Sequence, residues 1–459
     1  MNDTTGRADS CRIVTIETTG LGDRTYLAHD GTHAVVVDPQ RDIDRVLDVA
    51  AGLGVQIAVV AETHIHNDYV TGGLALSACT GATYLVAASE EVDFDRTPAT
   101  DGESWPVGTL TLTALATPGH TPGHLSYVVA DAGGVARAVF TGGSMLYGSV
   151  GRTDLIGDEH TEDLTRAQYH SVRRLAELLD DDVEVLPTHG FGSFCAASPT
   201  GGTASTVGDQ RGANLALVTD DEDRFVRELL AGLVDHPGYY ARMGPINRRG
   251  PGAADLSVPR LVDAATIQAT LADGGYVVDL RHRRAFAAAH VTGTLCFELG
   301  DPLATYLGWT IPWGAELTLV GETAEDVVAA RRQLARIGID DLAGHAVGEP
   351  GRWTSDALRS YPVASFVDLA AVLAGAGDPV IIDVRRPDEW AQSHIPGSHN
   401  QPLGGLGEAM DDLPDGHLWV HCAAGYRAAV AASFLDRAGR NVTLIDDAWA
   451  HAVSLGLAG

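Results

Sequence analysis

A cysteine that follows an apolar run and precedes a glycine-arginine turn is the residue in this chain best placed for chemistry. Around it the sequence reads Val420-His421-Cys422-Ala423-Ala424-Gly425-Tyr426-Arg427, followed by an alanine-rich stretch. Run, loop and stretch predict a strand, a tight turn and a helix. In that arrangement the loop amides and the helix N-terminus aim at one point and form an anion cradle. The same positive potential stabilises a thiolate. Gly425 permits a turn that a side chain would block, and Arg427 adds a fixed positive charge. Cys422, Gly425 and Arg427 are expected in the catalytic loop, with Ala423, Ala424 and Tyr426 facing substrate.

Histidines supply the second concentration of chemistry. Glu62-Thr63-His64-Ile65-His66-Asn67-Asp68-Tyr69 follows the apolar run Ile57–Ala61. Histidines two apart at a strand end reach one metal when the chain turns there. Thr117-Pro118-Gly119-His120-Thr121-Pro122-Gly123-His124 and Leu186-Pro187-Thr188-His189-Gly190 supply two more such contexts, and Cys195 lies six residues past His189. His160 and His170 fall on or beside a helical pattern at 161–179 and read as structural or surface residues. The five cysteines are odd in number, widely spaced and form no CxxC pair, which argues against a disulfide framework or a zinc ribbon. Cys11, Cys79 and Cys296 are expected to pack.

The elements that must position these groups repeat. Tyr276-Val277-Val278-Asp279-Leu280-Arg281, then Phe286 and His290-Val291-Thr292-Gly293, is echoed by Val380-Ile381-Ile382-Asp383-Val384-Arg385, then Trp390 and His394-Ile395-Pro396-Gly397. Asp, Arg, His and Gly recur at equal spacing, so the chain carries a duplicated α/β domain. Short apolar runs such as Val380–Val384 and Leu418–His421 suit strands buried on both faces of a parallel sheet. Ala428–Leu435 reads as a buried helix and Val442–Ile445 as a further strand, which implies right-handed crossovers. Polar, glycine-rich stretches at Asn247–Pro259 and Gly344–Tyr361 predict linkers. The expected domains are 11–246, 255–345 and 360–459.

Composition excludes several functions. The net charge is −30, from 61 acidic and 31 basic residues, and every basic residue is arginine. Such a surface repels nucleic acid and anionic membranes. No apolar run approaches the ~20 residues that span a bilayer, and Met1–Ser10 carries no apolar signal core, so the sequence reads as a soluble cytoplasmic protein. An anionic substrate needs a private basic or amide-lined pocket.

The Cys422 loop resembles the rhodanese active-site loop, Cys-x-x-Gly-x-Arg. The resemblance spans about residues 361–459 and includes the Asp383/Arg385 and His394–Gly397 signatures. It implies that Cys422 accepts a sulfane sulfur as a persulfide and hands it on, with Asp383 and Arg385 in the catalytic set. The related phosphatases use a longer loop from Cys to Arg, and the four residues between them here favour sulfur over phosphate. The middle copy reads Leu317–Thr323 where the loop would be, without a cysteine, and is expected to be inactive.

Residues 11–246 resemble the metallo-β-lactamase superfamily. The implied architecture is an αββα metallo-β-lactamase-like sandwich followed by two rhodanese-like α/β parallel-sheet domains. Gly151-Arg152-Thr153-Asp154 and the tail after His189 look most like the persulfide dioxygenase branch, with glyoxalase II a cousin. The resemblance implies a metal at His64 and His120, with His66, Asp68 and His189 around it and Arg152 and Cys195 toward substrate. Two positions depart from the pattern. Tyr69 stands where a second metal would take a histidine. Gly143, in Phe140-Thr141-Gly142-Gly143, stands where the family carries an iron-ligating Asp. The 2-His-1-carboxylate set is left with His64 and His120. Three outcomes stay open: His66 completes a three-histidine site, water or substrate fills the gap with Asp68 or Asp154 assisting, or the domain binds no metal. The implied cofactor is one Fe(II), with zinc and a metal-free domain as the other cases.

The implied function is persulfide and sulfane-sulfur metabolism. Persulfide plus O2 would give sulfite and thiol, coupled to transfer through Cys422. Partners would be a low-molecular-weight, glutathione-like persulfide or thiol, sulfite and thiosulfate. The alternatives are a metal-dependent thioester hydrolase like glyoxalase II, and a metal-free scaffold or binding module. Such folds often form homo-oligomers, and no exposed patch can be read here.

Overall fold

A computed structural model describes residues 11–198, 202–375 and 377–459; the Met1–Ser10 segment lies outside them. The chain divides into two compact units: the residues up to Asp255 together with Ala335–Gly338, and Leu256–Leu334 together with Ile339–Gly459.

The first unit stacks two sheets. One runs in the order Arg12–Thr18, Asp23–His29, His33–Val37, Gln56–Ala61, Thr83–Ala87, Thr97–Ala99. The other runs Glu184–Pro187, Ala136–Gly142, Leu125–Ala130, Leu110–Ala116, Ser104–Val107. Side chains alternate between faces along a strand. Tyr26, Val35, Val59, Leu112, Tyr127 and Phe140 therefore meet in the core between the sheets. Their neighbours Leu27, Val36 and Val60 line the outer face with Val46 and Ala50 of helix Asp44–Leu53 and Leu76 of helix Gly73–Thr80. On the opposite outer face Val128, Val139 and Val185 join Val172 and Leu175 of helix Asp158–Leu178. This is the αββα sandwich, and its rim loops carry the histidines.

The second unit contains two parallel sheets. Four strands run in the order Leu295–Cys296, Tyr276–Asp279, Leu317–Gly321, Leu342–Val347. Five run Val363–Ala364, Asn441–Ile445, His417–His421, Val380–Asp383, His399–Asn400. Both copies feed one core, in which Val278, Leu295 and Leu319 join Ile382, Val420 and Leu444. They fold as one body. Two linker expectations are corrected. Gly344–Val347 belongs to a strand and Trp353 is buried, so the middle copy runs past residue 345. Asn247–Arg249 completes the helix Tyr240–Arg249, with Asn247 buried. Polar composition misleads in both stretches because the backbone and buried amides bond inward.

The repeated Asp-x-Arg signature is a bracket. Arg385 Nη2 donates to Asp383 at 2.6 Å and to Ser393 O at 2.8 Å. Arg281 repeats this with Asp279 at 2.6 Å and Ala289 O at 2.9 Å. The pair is equally formed in the copy that lacks the thiol, so Asp383 and Arg385 hold the strand end rather than act on substrate. Asp383→Ala leaves a buried guanidinium without its counter-ion. We expect a loss of about 3–5 kcal/mol in urea unfolding, and a similar loss for Asp279→Ala.

Candidate functional sites

His64, His66, His120 and His189 gather at the rim of the first unit, with ring centroids 4.1 Å apart for the closest pair and 5.6 Å for His66 and His189. Three of them are anchored through Nδ1. Thr63 Oγ1 donates to Asp38 at 2.7 Å and so accepts from His64 Nδ1 at 2.9 Å. His120 Nδ1 donates to Arg152 O at 2.6 Å. His189 Nδ1 donates to Asp23 at 2.9 Å and Asp68 at 3.1 Å. A histidine held this way turns its Nε2 toward a metal. His64 Nε2 and His189 Nε2 stand 3.2 Å apart. His120 Nε2 is buried and makes no hydrogen bond. Metal–nitrogen distances of about 2.0–2.1 Å put two tetrahedral ligand nitrogens roughly 3.3 Å apart, so His64 and His189 suit one divalent cation.

Among the described residues, four groups have ligand atoms within 4.8 Å of one another: His64 with His66 and His189, His120 with His189 and Cys195, Asp23 with Asp68 and His189, and Asp38 with Glu62 and His66. His66 turns Nε2 toward Asp38 at 3.2 Å, Glu62 at 3.3 Å and the Tyr69 hydroxyl at 3.0 Å. Burial opposes a charged imidazole, but Asp38 and Glu62 raise His66 to about 9, and Asp68 and Asp23 raise His189 to about 10. Burial pushes His120 down to about 3. The carboxylates thus favour a cation at this rim. Gly143 has no room for a carboxylate: a Cβ there would meet His120 Cδ2 at 2.2 Å. Gly143 therefore brings no carboxylate to His64 and His120, whereas His64, His66 and His189 bring ligand atoms within 4.8 Å of one another, and His66 Nδ1 is buried without a hydrogen-bond partner.

Other expected residues take positioning roles. Asp68 accepts from His189 and, at 3.3 Å, from Ser193 Oγ; it orients a ligand. Arg152, expected toward substrate, is 2% exposed. It clasps Asp154 through two 2.7 Å bonds and donates to Phe194 O and Val234 O. Those bonds engage all three guanidinium nitrogens and lock the Cys195 loop. Burial, with Asp68 and Asp23 nearby, pushes the Cys195 thiol well above its ordinary value. His160 and His170 are exposed on their helix. Cys296 is buried and Cys11 partly so, but Cys79, expected to pack, is exposed.

Sequence reasoning missed the braces. Asn247 donates to His66 O and Tyr69 O, each at 2.9 Å, and accepts from Thr71 N at 3.0 Å. Gln168 accepts from His120 N at 2.7 Å. A glutamine four residues from both Leu164 and Val172, on the buried face of one helix, was a readable signal for an internal partner. Asn247 had none.

The thiol site lies at the end of strand His417–His421. Gly425, at φ +87°, donates its N–H to Cys422 Sγ at 3.1 Å and starts helix Tyr426–Arg437. Arg427 is clasped by Glu389 through bonds of 2.6 and 2.8 Å, a partner the sequence reading did not name. Ala424 is exposed and Ala423 half-buried. Tyr426 donates to Glu298 O at 3.1 Å; its hydroxyl ties the two copies together rather than reaching for substrate. Cys422 is only 2% exposed. Tyr306, from the middle copy, lies near enough that its hydroxyl, raised by burial, also feels Arg427 and Cys422. His421 stacks on Trp449 with centroids 5.3 Å apart.

Two outcomes are expected. In Gly425→Ala the new Cβ would meet Asp446 Oδ1 at 2.3 Å at a positive φ. Strain of about 1–3 kcal/mol should cut sulfur transfer by roughly tenfold or more, with the far-UV circular dichroism retained. Burial holds His421 down to about 4, below its ordinary value, so the unfolded chain binds its proton first. That contribution is fully present above pH ~6.5 and falls as pH drops toward 4, by at most about 1.4 kcal/mol per pH unit. His421→Phe should flatten that part of the urea-midpoint profile against pH.

Comparison with known proteins follows these two sites. Residues 367–452 match the rhodanese-like domain family. The chain is 29% identical to human persulfide dioxygenase ETHE1 over 239 residues, covering 51% of this chain and 81% of the human protein. It is 30% identical to the bovine protein of that name over 207 residues, covering 43% and 73%. A metallo-β-lactamase from Staphylococcus aureus superposes with a TM-score of 0.65 at 26% identity, over 74% of this chain and 100% of the other. Hydroxyacylglutathione hydrolases match over shorter stretches. The rhodanese-like match and the persulfide dioxygenase relatives together make this an enzyme of sulfur metabolism, and at the bovine identity and coverage the chain belongs to the persulfide dioxygenase family.

Proposed function

We propose that Cys422 carries sulfane sulfur between small molecules and that the first unit oxidises a persulfide of a low-molecular-weight, glutathione-like thiol. The observation that carries the first half is the Gly425 N–H donated to Cys422 Sγ at 3.1 Å at a helix start. That amide stabilises sulfur anions. The thiolate attacks the outer sulfur of a persulfide or thiosulfate. The donor S–S bond breaks, the Cys422 persulfide forms, and thiolate or sulfite leaves. Attack by sulfite on the outer sulfur then returns the Cys422 thiolate and releases thiosulfate. Glu389 holds Arg427 beside the loop, and the buried thiol limits the reaction to slender donors.

In the first unit, His64, His120 and His189 would hold one divalent metal, with Fe(II) the ion that fits the family. When bound, such an ion supplies O2 activation. The residues of this chain orient the ligands: Thr63, Arg152 O, Asp23 and Asp68 hold Nδ1 of the three histidines. The overall reaction is persulfide + O2 + H2O giving thiol + sulfite + two protons. Its sulfite is the acceptor that Cys422 needs, and joining both units on one chain raises its effective concentration. Among the described residues no helix is long and apolar enough to cross a membrane, in keeping with a cytoplasmic setting. The hydrolase reading is the weaker one, since Tyr69 and Gly143 leave a dinuclear site short of ligands.

Iron-loaded protein given glutathione persulfide should consume O2 and form sulfite. No uptake overturns the oxidising half; thiol release from S-lactoylglutathione without O2 would select the hydrolase. Cys422→Ser should abolish thiosulfate-dependent transfer while O2 uptake persists, and retained transfer overturns the first half.

A further inference from the structure

Cys195 is used neither by sulfur transfer at Cys422 nor by the three histidines. It is fully buried, and its Sγ lies within 4.8 Å of ligand nitrogens of both His120 and His189. Its loop is held firmly: Arg152 N–H donates to Cys195 O at 2.8 Å, and Cys195 N–H donates to Ser193 Oγ at 3.2 Å. A second observation concerns one of these two histidines. His120 spends Nδ1 on Arg152 and offers Nε2, which is buried without a hydrogen-bond partner. Such an orphaned buried atom is unfavourable unless a ligand engages it.

Charge decides what completes the site. Three neutral imidazoles leave a divalent cation uncompensated in a buried setting. Asp23 and Asp68 are engaged on the far nitrogen of His189. At Gly143 a side chain would run into the His120 ring. The thiol shares a cluster of ligand atoms with both His120 and His189, whereas the Asp23 and Asp68 oxygens cluster with His189 without His120.

Resting on the metal-bound reading above, we propose that Cys195 is the anionic ligand of that cation, bound beside His120 and His189 in place of the carboxylate missing at Gly143. On binding, the S–H bond breaks, a sulfur–metal bond forms, and the proton leaves through Asp68, within hydrogen-bond reach of the thiol, to solvent. A set of imidazoles and one thiolate selects borderline or soft first-row ions over magnesium and calcium. An ion that takes six ligands keeps open positions beside these donors, whereas a four-coordinate zinc keeps none.

The probe is Co(II), added anaerobically to the metal-stripped full chain. One equivalent should bind with a thiolate-to-cobalt charge-transfer band in the near ultraviolet. The band should survive in Cys422→Ser and vanish in Cys195→Ser and Cys195→Ala, with cobalt affinity weakened roughly tenfold or more in both. Cobalt bound by the wild type without the band, or a band that persists in Cys195→Ser, overturns the role of Cys195 and leaves the histidine site standing. Failure of the wild type to bind cobalt overturns both. Unchanged urea unfolding of the metal-free variants separates ligand loss from misfolding.

Discussion

One buried carboxylate organises the first unit. Asp38 accepts from Thr63 N–H and Thr63 Oγ1, each at 2.7 Å, and from Thr188 Oγ1, and it faces His66 at 3.2 Å. Thr63 follows a strand of one sheet, and Thr188 follows a strand of the other. A single charge therefore pins both sheets at the rim where the histidine loops leave. It also dictates chemistry, because Thr63 can only accept from His64 once its own proton is committed to Asp38. Asp38 adopts φ +52°, a conformation costing of order 1–3 kcal/mol outside glycine. The converging donors hold it there. An unpaired carboxylate at this depth would cost several kcal/mol.

The second unit solves the same burial problem differently. Its arginines are matched to carboxylates before substrate arrives: Arg385 to Asp383, Arg281 to Asp279, and Arg427 to Glu389. In a chain of net charge −30, an anionic sulfur donor thus meets few uncommitted cations near the thiol. The polar contact that the thiol sulfur does make is with the backbone, through the Gly425 amide. The middle copy keeps the bracket and loses the thiol, yet it supplies Tyr306 near Cys422 and Glu298 O for Tyr426. Duplication here produced a wall for the active loop as well as a shared core.

Much of the thiol site was legible because its chemistry is local. A strand end, a glycine at positive φ and a helix start lie within six residues, so spacing alone implies their geometry. Asp383 and Arg385 were legible as a repeated pair, but their role was not; only the bonds to Ser393 O and Ala289 O identify a bracket. In the first unit the ligand types could be read, and the completion of the set could not. His189 joins His64 across 125 residues. Asn247 was hidden in a stretch whose composition resembles a linker.

By itself the sequence determined the alternation that builds a sandwich and the parallel strands of the duplicated domain, because face-to-face burial follows from period and apolar content. It also singled out Cys422, because a thiol beside a helix-start amide is written in contiguous residues. Tertiary structure decided which histidine nitrogens converge, that Arg152 is consumed by Asp154, and that Cys195 lies beside His120 and His189. Those outcomes depend on hydrogen bonds closed between loops of separate strands, and no local pattern encodes the partner at the other end.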